Sequence, residues 1–371
     1  MNRLQKYSLI KNRRNRQSKT ARLAQRTAGG VIRTLLAVFC ICLCAALVIG
    51  SFSYAQLTYD LPSIEQLPVM LDREDGELLH PSQLMDRTGT QVLYTLDNPG
   101  IVRKFLTVNP DAEDHFSLQL VRLTVVRFEP DFWTASGIDL QTITDPQPHT
   151  IAERLARELL IPDEVDSSRT ALRMRLLANQ IVLKYGRTQV LEWYLNSAYF
   201  GHLTYSAESA SQLYLGKSAS DLDLAESVLL ISLIESPALN PIDAPVAARE
   251  NQAALLKELL AQGFINQEEY DSASARDLIF APAPAAEKST SSAFIDLARA
   301  QLTDLVGTTR IERGGLKVIT TLDLDLQAQL VCTARSQLFQ IEAAAYTGSS
   351  LDISGCPAAD FLPTQSYEGD L

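Results

Sequence analysis

The sequence has little of what a metal centre needs. It contains five cysteines and four histidines in 371 residues, with no Cys-x-x-Cys pair among them. Three of the cysteines, Cys40, Cys42 and Cys44, lie in an apolar run, where a thiol serves as a small apolar side chain. A structural zinc site is therefore not expected. Cys332 and Cys356 lie outside this run, and a disulfide between them is permitted if they are extracytoplasmic.

Near the N-terminus, one stretch lacks acidic side chains and the next lacks charged side chains altogether. Residues 1–33 have no acidic side chain but hold ten of the 33 Lys and Arg residues, and residues 34–58 have no charged side chain. This second stretch is long enough to cross a bilayer as a helix. By the positive-inside rule, the cations before it predict a cytoplasmic tail and an extracytoplasmic body. The alternative, a cleaved signal peptide, is disfavoured by the long region before the apolar run.

The basic tail does not indicate a nucleic-acid partner, because a membrane-length apolar run follows it directly. We expect the tail to meet anionic lipid headgroups at the membrane. The alternative is a solvated tail without a partner. The whole chain is acidic, with a formal net charge of −11.

Beyond the apolar run the patterns change from β to helical. In residues 59–109, apolar residues alternate around a polar turn at Arg87–Gly89, which predicts a β-hairpin. In residues 110–278, apolar residues recur at three- and four-residue spacing, which predicts a mainly α body. The predicted segments are a basic cytoplasmic tail (1–33), a transmembrane helix (34–58), a connector with a β-hairpin (59–109), a helical domain (110–278), a linker and helix (279–310), and a linker strand with a C-terminal tail (311–371).

Helix start and stop signals are clear in the helical domain. Asp223 with Glu226, and Asn266 with Glu269, predict capping boxes at the start of two helices. The apolar helix that ends before Pro237 has few polar residues and is predicted to be buried on nearly all sides. Three glycines, Gly186, Gly201 and Gly216, are predicted to end helices.

The most specific pattern lies between Arg187 and Ser227. It contains VLEWYLN, which ends at Asn196, and YFGHLTYSAESASQLYLGKSASDL, which follows it closely. These motifs resemble those of the peptidoglycan glycosyltransferases (glycosyltransferase family 51), the wall-polymerising domain of bifunctional (class A) penicillin-binding proteins. The resemblance extends from about Asp86 to Gln327. It implies a mainly α, lysozyme-like domain preceded by a single transmembrane helix and a short β-rich connector.

The resemblance also implies a reaction and partners. The family transfers a glycosyl group from a lipid-linked disaccharide to a glycan strand at the outer surface of the cell membrane. Such a reaction needs a general base for the acceptor hydroxyl and stabilisation of the departing diphosphate. The implied partners are the lipid-linked peptidoglycan precursor, glycan strands, the membrane and other cell-wall synthases. A divalent cation such as Mg²⁺ or Mn²⁺ is implied only by the resemblance, and no metal ligands are assigned.

Both catalytic glutamate positions of the family are replaced in this chain. In the first motif, FEPDFWTASGID, Phe128 stands at the base position and Glu129 stands next to it. In the motif TALRM, Met174 replaces the second glutamate. Neither side chain can accept a proton. Glu129 is the candidate catalytic residue, because a one-residue slip of the backbone would bring it to the base position on the same helix face. Pro130 is expected to open that helix and leave Glu129 near its cap. The alternative is an exposed or helix-capping carboxylate.

Five further residues are predicted to bind substrate from their matches to family motifs: Arg157, Arg173, Asn196, Tyr205 and Glu208. The two arginines keep basic positions and could contact a diphosphate, although charged faces of ordinary helices explain them equally well. Within the long motif, Leu203 and Ser206 replace family glycines.

Two functions therefore remain open. One is an active or weakly active glycosyltransferase with Glu129 as a displaced base. The other is a non-catalytic scaffold or regulator that binds lipid-linked precursor or partner synthases. Two independent glutamate losses favour impaired chemistry, since losing a general base costs about a hundred- to ten-thousandfold in rate. No Ser-x-x-Lys motif suited to a transpeptidase occurs in the predicted extracytoplasmic part, so penicillin acylation is not expected, and the sequence resembles a truncated or split relative of a longer protein.

Overall fold

The computed structural model describes residues 35–134, 142–284 and 292–345. The predicted mainly α fold is confirmed, and three short strands accompany the helices in these ranges. The chain divides into two compact units, Met1–Leu61 and Pro62–Leu371.

In the described part of the first unit, an apolar helix, α1, runs from Leu35 to Thr58. Its apolar side chains are exposed, as expected of a helix whose surroundings are lipid rather than protein. Its 24 residues are long enough to span a bilayer. Two hydroxyl groups of α1 form hydrogen bonds within the helix. Ser51 Oγ donates to the Val48 carbonyl and Thr58 Oγ1 donates to the Tyr54 carbonyl, both at 2.9 Å. The orientation across the membrane stays a prediction.

The second unit contains the helical body and a small sheet. Its helices are α2 (Gln66–Met70), α3 (Leu118–Phe128), α4 (Ile151–Leu159), α5 (Ser168–Ser197), α6 (Ala207–Leu215), α7 (Leu224–Glu235), α8 (Pro245–Ala261), α9 (Gln267–Ser274), α10 (Ser292–Val306), α11 (Thr308–Arg313) and α12 (Leu324–Ala345). Its strands are β1 (Ser82–Met85), β2 (Val92–Leu96) and β3 (Lys317–Ile319). Cys332, on α12, is disulfide-bonded, and Cys356 lies outside the described residues.

The sheet has the order β2-β1-β3. β1 and β2 form an antiparallel hairpin in which Ser82 lies opposite Leu96. Its turn is held by Asp86, whose Oδ1 accepts the Thr90 and Gln91 amides at 3.0 and 2.9 Å. β3 pairs with β1 in parallel. The sequence patterns treated the connector and the linker strand as separate segments, whereas the structure joins them in one sheet.

The helical body is built around α4, α5 and α7. Residues Ala225 to Leu233 of α7 are buried, so the predicted all-round burial of this helix is confirmed. Both predicted capping boxes are present, at Asp223 and at Asn266. They fix where α7 and α9 begin, because each supplies acceptors to amides that have no partner within the helix.

Two of the three marked glycines do not cap a helix in a simple way. Gly216 ends α6 in the left-handed conformation, as predicted. Gly186 instead lies inside α5 as a kink, with φ 79° and ψ 163°, and a helical half follows on each side. Gly201 lies in the turn between α5 and α6, where φ is 91°. A β-carbon there would lie 2.1 Å from the Pro237 carbonyl oxygen, so no other residue fits without movement.

Candidate active site

Glu129 lies where α3 ends. Its amide donates to the Val125 carbonyl at 2.9 Å, which makes it the C-terminal cap of α3. The prediction that Pro130 opens a helix with Glu129 at its start was wrong. The helix ends here because Pro130 has no amide hydrogen and disfavours helical backbone at the residue before it. The rest of the first motif, from residue 135 onwards, lies outside the described residues.

The Glu129 carboxylate points at the amino end of α4. Its Oε2 accepts the Ile151 amide at 2.9 Å, and its Oε1 lies 3.4 Å from Arg187 Nη1. A negative charge is favourable at this end of a helix. The side chain keeps 11% of its exposure. Burial raises the pKa of Glu129 above the ordinary range, and the Ile151 amide and the Arg187 guanidinium oppose that rise.

A second carboxylate, Glu153, converges on the same helix end. Its Oε2 accepts the His149 amide at 2.8 Å, and its Oε1 lies 3.7 Å from Arg175 Nε. The negative charge of Glu153 adds to the raised pKa of Glu129. Glu153 is not among the site residues predicted from the sequence. The signal was available, because Thr150 followed three residues later by a glutamate is a helix-start pattern.

Arg187 was also missed as a site residue. It follows the Gly186 kink directly, so it begins the second half of α5. Its guanidinium carbon lies 5.5 Å from the centroid of the Phe132 ring, which is fully buried. Arg187 begins the specific pattern of the sequence but precedes both quoted motifs, and its partner Glu129 is 58 residues away along the chain.

Phe128 and Met174, the two residues predicted to replace the family glutamates, lie in the core. Phe128 is 5% exposed and meets Tyr194 edge to face, with ring centroids 6.0 Å apart. The guanidinium of Arg154 stacks over the same ring at 4.5 Å. Met174 is fully buried. Since both side chains pack as apolar core residues, these positions offer no group that could transfer a proton.

The two predicted diphosphate contacts, Arg157 and Arg173, hold the loop between α4 and α5. Arg157 donates to the carbonyls of Ile161, Pro162 and Glu164, and pairs with Asp166 at 3.1 Å. Arg173 Nε donates to Glu164 Oε1 at 2.8 Å, and its side chain is 4% exposed. A phosphate would compete with these internal partners. Diphosphate binding by either arginine stays a prediction.

The other three predicted substrate residues are buried and have internal partners or neighbours. The Asn196 side chain forms two hydrogen bonds with the backbone of Leu106. Its Oδ1 accepts the Leu106 amide at 3.0 Å, and its Nδ2 donates to the Leu106 carbonyl at 2.7 Å. Glu208 Oε2 accepts the Ala219 amide at 2.6 Å. The ring of Tyr205 lies 4.8 Å from that of Tyr199.

Asn196 and Tyr205 also line a cavity with Arg103 and Arg313. Its volume is about 10 Å³, which is room for about one water molecule and not for a sugar. Asn196, Tyr205 and Glu208 make contacts within the protein that stabilise the fold. Their contacts with substrate stay a prediction.

The part of the chain that the structure describes has no cluster of protein ligands that could enclose a metal ion. No group of three or more His, Cys, Asp or Glu side chains there is arranged to hold a metal ion. The Mg²⁺ or Mn²⁺ implied by the resemblance therefore gains no ligands from these residues, and no step of the chemistry is assigned to it.

Comparison with known proteins identifies the helical body. Residues 148–260, which include α4 to α7 and most of α8, match the family model described as Transglycosylase. Residues 148–260 are therefore similar to a transglycosylase domain. The mainly α fold that the motifs imply agrees with the helices of this region. The matched residues include Met174 and begin after Phe128 and Glu129, so the altered first motif lies outside the match.

The relatives of the transglycosylase domain are penicillin-binding proteins. Over 284 residues the chain is 29% identical to penicillin-binding protein 1A of Aquifex aeolicus, which covers 73% of this chain and 38% of that protein. Over 240 residues it is 30% identical to penicillin-binding protein 2D of Bacillus subtilis, a match that covers 62% of this chain and 33% of that protein. A crystal structure of penicillin-binding protein 1A from Haemophilus influenzae matches 63% of this chain at 15% identity and a TM-score of 0.29. The chain spans between a third and two fifths of the length of the Aquifex aeolicus and Bacillus subtilis proteins.

Proposed function

We propose that this chain is a membrane-anchored peptidoglycan glycosyltransferase-family protein of bacterial cell-wall synthesis whose glycosyl transfer is impaired. The observation that carries the proposal is the burial of Phe128 and Met174 as core side chains at both glutamate positions. The transglycosylase match supports the substrate class, a lipid-linked disaccharide and a growing glycan strand. The apolar helix α1 supports attachment to the cell membrane. The proposed orientation, with the N-terminus cytoplasmic and the domain outside, is supported by the ten cations of residues 1–33.

In this proposal Glu129 carries what remains of the chemistry. The acceptor hydroxyl attacks the glycosyl carbon, the bond to the lipid diphosphate breaks, and the hydroxyl proton passes to the Glu129 carboxylate. Glu129 suits this task because it is partly exposed and its pKa is raised by burial, which makes the carboxylate a stronger base. It is a weak substitute because both of its oxygens already accept hydrogen bonds.

A non-catalytic role as a scaffold or regulator is the second candidate. The internal hydrogen bonds of Arg157 and Arg173 leave the two predicted diphosphate contacts engaged within the protein. They favour the form of this role in which partner synthases, rather than the precursor, are bound. In that role the protein binds lipid-linked precursor or partner synthases without turning over substrate.

Polymerisation of labelled lipid-linked disaccharide by the purified full chain in detergent tests the proposal. We expect short or slowly formed glycan strands from the unaltered protein and loss of product in Glu129→Gln, a change that keeps shape and removes the base. Glu268→Gln, at an exposed glutamate on α9, is the matched control and should behave as the unaltered protein.

Three results would count against this assignment. Glycan strands formed as fast by Glu129→Gln as by the unaltered protein would show that the base lies elsewhere. Saturable precursor binding with no product from any form would favour the scaffold role. The absence of both product and precursor binding would contradict the enzyme and also a scaffold that binds the precursor.

A further inference from the structure

The Glu129 carboxylate is held from three sides. The end of α3 supplies the residue itself, the first turn of α4 supplies the Ile151 amide at 2.9 Å, and the second half of α5 supplies Arg187 at 3.4 Å. A carboxylate with both oxygens engaged has a defined orientation, which a proton acceptor needs.

Arg187 reaches this position because of the kink in α5. Gly186 adopts φ 79° and ψ 163°, so the helix is interrupted and Arg187 begins a new helical half. Its guanidinium lies over the buried ring of Phe132 at 5.5 Å, which supports the planar group while it faces Glu129. Its side chain is 24% exposed, so the ion pair is partly protected from solvent screening.

Glu153 acts on Glu129 in the opposite sense. The amides that the two carboxylates accept, those of Ile151 and His149, are two residues apart, so the two negative charges are neighbours at one helix end. Arg175, from α5, lies 3.7 Å behind Glu153 and offsets part of its charge. Each like charge near a carboxylate favours its protonated form, and each opposite charge favours its ionised form.

We propose that Arg187 and Glu153 are positioning residues for Glu129: Arg187 orients one carboxylate oxygen and favours the ionised form, and Glu153 opposes ionisation from α4. This inference rests on the proposed function only where Glu129 is treated as the base. Its electrostatic part concerns Glu129 itself and can be measured without turnover.

Titration of Glu129 in the full chain in detergent tests the electrostatic part. The protein is labelled with ¹³C at the glutamate carboxyl carbons, and Glu129→Gln identifies the Glu129 signal. We expect Glu129 to titrate at higher pH in Arg187→Gln and at lower pH in Glu153→Gln. Arg187→Lys, which keeps the charge on a different side chain, should lie between Arg187→Gln and the unaltered protein. Arg122→Gln is the matched control, because it removes another arginine–glutamate pair beside α3, to Glu269 at 3.0 Å, and should leave the titration in place.

Turnover tests the positioning part. A base works when ionised, so the acidic limb of the pH–rate profile should move with the titration, upward in Arg187→Gln and downward in Glu153→Gln. Misplacement of the carboxylate should also lower kcat in Arg187→Gln by about ten- to a hundredfold while KM stays close to that of the unaltered protein.

The outcomes separate this inference from the proposed function. An unmoved Glu129 titration in both variants, or shifts in the same direction, would overturn the inference. Opposite shifts with no glycan product from any form would leave the inference standing and overturn the activity. Product that depends on Glu129, with a pH profile unmoved by either change, would overturn the positioning roles alone. If Arg187→Gln fails to fold, the opposite shift in Glu153→Gln and the position of Arg187→Lys decide the same question.

Discussion

Ser206 occupies a backbone conformation that glycine tolerates best, and this gives the sharpest test of the structure. Its φ is 77° and its ψ is 145°, a region that side chains with a β-carbon rarely adopt. The serine also has a favourable task, since it caps α6 by accepting the Ser209 amide on Oγ at 3.1 Å. Strain and capping therefore oppose each other at one residue.

Two substitutions separate these effects. Ser206→Gly removes strain of about 1–3 kcal/mol, costs about 0.5–1 kcal/mol because glycine gains more freedom on unfolding, and loses a few tenths of a kcal/mol of capping. The net expectation is stabilisation by about 1 kcal/mol. Ser206→Ala keeps the strain and loses the cap, so it should destabilise the domain by about 1 kcal/mol.

Thermal unfolding of the full chain in detergent measures both changes. The melting temperature should rise by about 2 °C in Ser206→Gly and fall by a similar amount in Ser206→Ala. A lower melting temperature in Ser206→Gly, or two variants of equal stability, would refute the assignment of strain to this residue. Pro237→Ser cannot serve as a control for these two variants. Although Pro237 lies outside the turn, its carbonyl oxygen packs against the turn at Gly201.

Two further predictions concern the turn and the hairpin. Gly201→Ala should lower the free energy of unfolding by about 3 kcal/mol, because its β-carbon would overlap the Pro237 carbonyl oxygen. Gly263→Ala, also at positive φ but facing open space, should cost only about 1 kcal/mol. Equal losses by chemical denaturation would contradict the overlap. Hydrogen bonds, first from the Thr88 hydroxyl and then from the Gln91 amide, lower the pKa of Asp86 from 3.8 to about 2. A carboxylate whose pKa is lower in the folded than in the unfolded protein stabilises the fold at pH values above its unfolded pKa. This stabilisation disappears as the pH falls through the folded pKa. Asp86→Asn removes this contribution, so the variant should lose less stability than the unaltered protein between about pH 4 and pH 2. An unchanged acid dependence of the melting temperature would contradict this.

Local patterns predicted most of the architecture. The hairpin around Arg87–Gly89 and the capping boxes at Asp223 and Asn266 depend on neighbouring residues, and all three are present. The burial of α7 was also predictable, because a helix with few polar residues has no face to give to water. The parallel pairing of β3 with β1 was not, since it joins segments more than 200 residues apart through backbone groups that carry no sequence mark.

The candidate site was predicted in its residue identities and not in its arrangement. The motifs drew attention to Phe128, Glu129 and Met174, and the loss of proton-transferring side chains at two of these positions follows from their chemistry alone. They also suggested Arg157 and Arg173 as contacts for a diphosphate. Only packing showed that both arginines are engaged by the loop that follows α4.

The sequence by itself determined the membrane-length helix, the mainly α body and the kinship with transglycosylases, because each depends on composition or on patterns within a few tens of residues. The tertiary structure decided what surrounds Glu129. Arg187 reaches that carboxylate from the second half of α5, after the kink. Glu153 lies on the first turn of α4, whose amino end the Glu129 carboxylate contacts. Electrostatic environments depend on distances through space, and those distances exist only once the helices have packed.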